Sequence, residues 1–99
     1  MSSAHNMSKA RIWKFTIPIE DEPTIDMPVG ARVLSVGAQS GYLVMWALVP
    51  NTGAPTEERH FFVIGTGNPI PWNIERCPFI GTVQIGGFVG HIFDQREVE

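Results

Sequence analysis

Between Arg11 and Asp94 nowhere do apolar residues recur at helical spacing over ten or more positions; they alternate in short runs that glycine and proline close off. A chain so punctuated, with ten glycines and eight prolines in 99 residues, cannot build long helices and is left with short strands and tight turns. Ile12 to Ile19 places Trp13, Phe15, Ile17 and Ile19 on one face and Lys14 and Thr16 on the other, with Pro18 marking its end. Thr24 to Met27 is a second short strand, stopped by Pro28. The segments Ala31–Gln39 and Tyr42–Val49 flank Ser40-Gly41, a two-residue hairpin signal that fixes a register. Ser35 then faces Trp46, Gly37 faces Val44 and Val33 faces Leu48, while Val36 meets Met45 and Leu34 meets Ala47 on the other side. Both faces of this hairpin are apolar, so it is expected to be central or covered by a partner.

Arg59 to Ile64 forms a strand after the polar loop Pro50–Glu58, and Asn73–Pro78 has room for a connection or one helical turn. A closing hairpin, Phe79–Ile85 and Phe88–Phe93 around Gly86-Gly87, pairs Ile80 with Phe93, Thr82 with His91 and Gln84 with Val89. The expected fold is all-β, a small antiparallel sandwich or barrel of six or seven short strands in a single domain over residues 10–94. Residues 1–9 read as a disordered tail and 95–99 as an acidic one.

Charge excludes several partners. The formal charge is −3, and Lys9, Arg11, Lys14, Arg32, Arg59, Arg76 and Arg96 stand singly, so no basic stripe exists to neutralise duplex DNA or long RNA. The one cysteine, Cys77, rules out an internal disulfide and fits a reducing, cytoplasmic compartment. No apolar run approaches the roughly 20 residues of a membrane span, and no membrane partner is expected. Hydrophobic residues at 43% against 17% charged are rich for so short a chain, which points to assembly with further copies of itself.

Chemistry concentrates where the strand at His60 breaks into Gly65-Thr66-Gly67-Asn68-Pro69-Ile70-Pro71-Trp72. This is no Walker loop, because the lysine is missing, and no dinucleotide fingerprint, because Pro69 and Pro71 forbid the helix that must follow. Gly65 and Gly67 allow close backbone approach, so successive amides beside Thr66 and Asn68 can form a nest for an anion or carbonyl; an ordinary strand-to-loop bend contains the same groups. Trp46 and Trp72 can stack on a base, with Ser35 and Gly37 leaving room beside Trp46. Trp13 reads as core. Arg59 and Arg76 can meet phosphate, and His60 or His91 can donate to a ligand, each with a plain surface reading as alternative. No metal-ligand spacing is present and no nucleophile stands beside an evident base, so neither metal nor cofactor nor catalytic residue is expected.

Taken together, Ile12-Trp13-Lys14-Phe15, Met27-Pro28-Val29-Gly30-Ala31-Arg32-Val33-Leu34-Ser35-Val36, Trp46-Ala47-Leu48-Val49, Gly65-Thr66-Gly67-Asn68-Pro69-Ile70 and Ile80-Gly81-Thr82 resemble a family of small, uncharacterised proteins encoded by phages and prophages. The likeness spans about residues 11–94 and implies an all-β fold and a setting in the bacterial host's cytoplasm. It brings no catalytic residues, and at Asn68 this chain departs from the histidine usual in the family. In that setting the expectation is a non-enzymatic protein that sequesters a small nucleotide messenger of host antiviral defence in the pockets of a homo-oligomer. The alternative is a protein-binding module that inhibits a host protein or serves the virion.

Overall fold

A computed structural model describes residues 9–96, and the two expected tails lie largely outside it, at 1–8 and 97–99. Seven strands follow in chain order: β1 Arg11–Thr16, β2 Thr24–Pro28, β3 Arg32–Gln39, β4 Tyr42–Val49, β5 Thr56–Gly65, β6 Phe79–Ile85 and β7 Phe88–Asp94. They form two antiparallel sheets, β1-β4-β3 and β2-β5-β7-β6. The expected all-β sandwich is what the chain forms.

Alternation decides what is buried. On β4 the residues Leu43, Met45, Ala47 and Val49 point between the sheets, where they meet Phe61 and Val63 of β5, Val83 of β6 and Ile92 of β7 in one core. Met27, Met45, Ala47, Val49, Phe61 and Ile92 have no exposed surface, and burying each large side chain stabilises by about 1.5–3 kcal/mol. The opposite face of β4, with Tyr42, Val44, Trp46 and Leu48, turns outward. Of the hairpin only β4 is central, between β1 and β3; β3 is itself an edge strand, and the outward face stays open to solvent at Tyr42 and at Ile12 of β1, both more than half exposed.

Both hairpin turns form at the expected residues. Ser40 and Gly41 take φ 52° and 81°, the two positive values that suit a hairpin turn matched to strand twist. Near that turn the register is as expected, with Ser35 opposite Trp46 and Val36 opposite Met45. Farther out it slips by one, because a bulge at Leu34 leaves Val33 opposite Ala47 and Arg32 opposite Leu48. β6 repeats this: Thr82 faces His91 as expected, but a bulge at Ile80 puts Phe79 rather than Ile80 opposite Phe93. The two bulged strands are the ones that meet where the sheets close on each other. An extra residue bends a strand and raises its twist, and the approach is close enough that a Cβ on Gly81 would lie 2.9 Å from Val36 Cγ2.

The first strand is shorter than its pattern suggests. β1 ends at Thr16; Ile17 is still core, its N–H bonded to the Leu43 carbonyl at 2.8 Å, but Ile19 is half exposed. Trp13, expected in the core, is 37% exposed, because β1 is an edge strand and only the ring of Phe15, 6.4 Å away, covers it from its own strand.

β5 and β6 are separated in their sheet by β7, so the chain between them, 66–78, must cross over that sheet. It does so on the outer side. Ile74 and Cys77, on a single 3-10 turn at Ile74–Arg76, pack with Phe62, Ile64 and Phe93 in a second, smaller apolar cluster. No helix among the described residues is long and apolar enough to cross a membrane.

Candidate functional site

Gly65 to Asn68 is a tight turn closed by the Asn68 N–H to the Gly65 carbonyl at 3.1 Å, with Gly67 at φ 90° where such a turn favours glycine. The Thr66 N–H donates to the Val89 carbonyl at 3.1 Å. The amides of Thr66 and Asn68 are thus committed to backbone, and the anion nest expected at Gly65-Thr66-Gly67 does not form. Asn68 folds its side-chain amide over Gly65, where a Cβ would sit 2.9 Å from the Asn68 nitrogen.

Beyond this turn the crossover walls one side of a cleft of about 710 Å3. Asn68, Ile70, Trp72 and Asn73 line it from the crossover, Phe62 and Ile64 of β5 form its floor, and Asp21, Glu22 and Gln95 stand opposite. Ile74 and Cys77 bury themselves against the sheet and so hold the preceding Trp72 outside it, 85% exposed, with the Arg76 guanidinium 5.9 Å from its ring. Gln95 is fixed by donating from its side chain to the Phe61 carbonyl at 3.0 Å and to Glu22 at 3.3 Å. A concave, largely apolar hollow with a few amide and carboxylate groups fits the size range of small-molecule sites.

One strand further across the same face, His91 lies opposite Ile64 and between two hydroxyls. Its Nε2 is 2.7 Å from Thr66 Oγ1 and its Nδ1 is 2.9 Å from Thr82 Oγ1. The hairpin register already sets Thr82 beside His91, and the pairing of β5 with β7 adds the second hydroxyl, that of Thr66, completing a triad. The third member is a neutral hydroxyl, which cannot stabilise an imidazolium as a carboxylate does, and the Thr66 and Asn68 amides are occupied. The arrangement ties the start of the crossover to the sheet.

The remaining site candidates lie apart. Arg59 is buried: it donates to Asp94 at 2.8 Å and to the Ala31 carbonyl at 2.8 Å, joining β5, β7 and the β2–β3 connection, so it is not presented to a phosphate. His60 is exposed and sits 3.2 Å from Thr24 Oγ1 at the far end of β5. Ser35 and Trp46 belong to the outward face of the first sheet, where the Trp46 ring leans over Gly37, and they do not complete the cleft. Of the expected residues the cleft gathers Asn68 and Trp72, with Thr66 and His91 beside it. Ile70 and Asn73 join them from the same crossover, whereas Asp21, Glu22 and Gln95 carry no sequence signal for the site, since nothing but the pairing of β2 and β7 with β5 brings them there.

The fold and this hollow define a small two-sheet β domain with a cleft under a crossover loop. The chain belongs to a family defined by a domain of unknown function, DUF7352, which it matches over residues 8–99. No curated protein and no solved structure matches it.

Proposed function

We propose that this protein acts by binding, without bond chemistry of its own, and that its cleft takes the base of a small nucleotide messenger and keeps it from the host machinery that reads it. The observation that carries this is Trp72, an indole 85% exposed at the mouth of a cleft otherwise floored by Phe62 and Ile64. An exposed tryptophan contributes little to folding, whereas stacking a base on it is worth about 1–3 kcal/mol. The carboxylates of Asp21 and Glu22 accept from the exocyclic amino group of a base, and Asn73 and Gln95 supply both donors and acceptors. The only cation at this mouth among the described residues is Arg76, against Trp72, so any phosphate contact falls to it. The phage setting implied by the sequence likeness supports sequestration as the use of such a site.

Thermal-shift screening against cyclic di- and trinucleotides, cyclic ADP-ribose isomers and the free nucleosides tests this. At 100 times the dissociation constant a ligand stabilises the folded state by about 2.7 kcal/mol, a readily measured rise in Tm. The rise should vanish in Trp72→Ala, and the absence of a shift with every compound sinks the proposal.

A second reading, a module that docks on another protein, is favoured by the outward face of β1-β4-β3, which leaves Ile12 and Tyr42 62% and 63% exposed. Affinity capture of one host or virion protein, insensitive to Trp72→Ala, would select it.

A further inference from the structure

The fold sorts charges that the sequence scatters. None of the ten carboxylate residues lies on β1, β3 or β4, whereas Arg11, Lys14 and Arg32 all do. By register, Lys14 and Arg32 point outward on the same side as Tyr42, Trp46 and Leu48, and Lys14 reaches across β4 to donate to the Gln39 side chain, so the outward face of the first sheet sets cations among apolar side chains. On the other sheet, Asp21 and Glu22 border one side of the cleft, and Ile70 and Trp72, 61% and 85% exposed, the other, with Arg76 against Trp72, so the apolar patch has carboxylates along the side away from Trp72. The two surfaces are complementary in kind and sit on different sheets of one chain.

We infer that copies of this chain assemble head to tail, the cationic face of the first sheet of one copy docking on the carboxylate side of the cleft mouth of the next. Two-fold pairing of the first-sheet face with itself would set Lys14 and Arg32 against like charges, whereas the carboxylates at the cleft mouth meet them with opposite sign. Such a contact closes into a ring or continues as a filament. Three strands about 4.8 Å apart and up to eight residues long offer a patch of roughly 14 by 25 Å. Two such patches bury roughly 700 Å² together, less than a standard specific interface, so association is weak and transient.

Sedimentation velocity over a concentration series, without any ligand, tests this on the wild type and on two exposed-surface variants, Lys14→Glu/Arg32→Glu and Asp21→Lys/Glu22→Lys, each first shown to keep its Tm. The wild type should grow beyond a dimer with concentration, and less so as salt rises. Each variant alone should stay monomeric, and an equimolar mixture of the two should stop at a heterodimer, joined through the one intact surface that each contributes. A wild type that is monomeric at several hundred micromolar, a variant that still dimerises alone, or a mixture that stays monomeric overturns the inference. The second outcome would mark a two-fold contact; binding of a single-stranded oligonucleotide that is lost in Lys14→Glu/Arg32→Glu, with the wild type monomeric, would mark a different occupant. Because no ligand is present, failure here leaves the ligand proposal standing, and the converse holds.

Discussion

Arg59 shows how far a residue's role depends on partners remote in sequence. Between Glu58 and His60 it resembles an exposed strand-end cation, yet its side chain is 6% exposed and paired at 2.8 Å with Asp94, 35 positions away. Asp94→Ala leaves the guanidinium buried with one partner gone and should lower the unfolding free energy by about 3–5 kcal/mol in urea titration. Replacing both, as in Arg59→Met/Asp94→Leu, should recover much of that loss, since removing the pair also removes its desolvation cost. Gly81 is the second sensitive point. Val36 is β-branched and stiff, so Gly81→Ala, with a Cβ 2.9 Å from Val36 Cγ2, should cost about 1–3 kcal/mol through forced separation of β3 and β6. A substitution with unchanged stability would show that the two strands part freely.

Among the elements, those set by local chemistry were legible and those set by contact between sheets were not. Ser40-Gly41 and Gly86-Gly87 specify their turns by themselves, and pairing next to them followed, down to Ser35 with Trp46 and Thr82 with His91. The bulges at Leu34 and Ile80 have no local signal, because they answer the need of β3 and β6 to bend toward each other. Trp13 was misplaced for a related reason: alternation gives its face, but an edge strand covers that face only in part. The crossover 66–78 depends on local chemistry at its start, where Gly67 holds φ 90°. Gly67→Ala should therefore cost about 1–2 kcal/mol, a fall of roughly 4–8 °C in Tm per kcal/mol for a domain of this size. An unchanged Tm would mean that the turn relaxes without strain.

At the scale of the molecule, the site was legible as a stretch but not as a place. Pro69, Pro71 and Trp72 stood out by composition, whereas Asp21, Glu22 and Gln95 reach the cleft through strands whose pairing no local pattern encodes. The same pairing moved Ser35 and Trp46 away from the cleft, onto the other sheet. What the fold adds is a division of labour: one sheet carries the cleft with its carboxylates, and the other an apolar face with cations alone. The central claim, that the cleft at Trp72 receives a base, is tested most directly by the three tryptophan indole N–H resonances in a nitrogen-15 correlation spectrum. On titration with nucleosides and cyclic nucleotides, the resonance lost in Trp72→Phe should move saturably, while those of Trp13 and Trp46 stay in place. Saturable movement of the Trp46 signal with Trp72 silent, or no movement of any of the three, would contradict it.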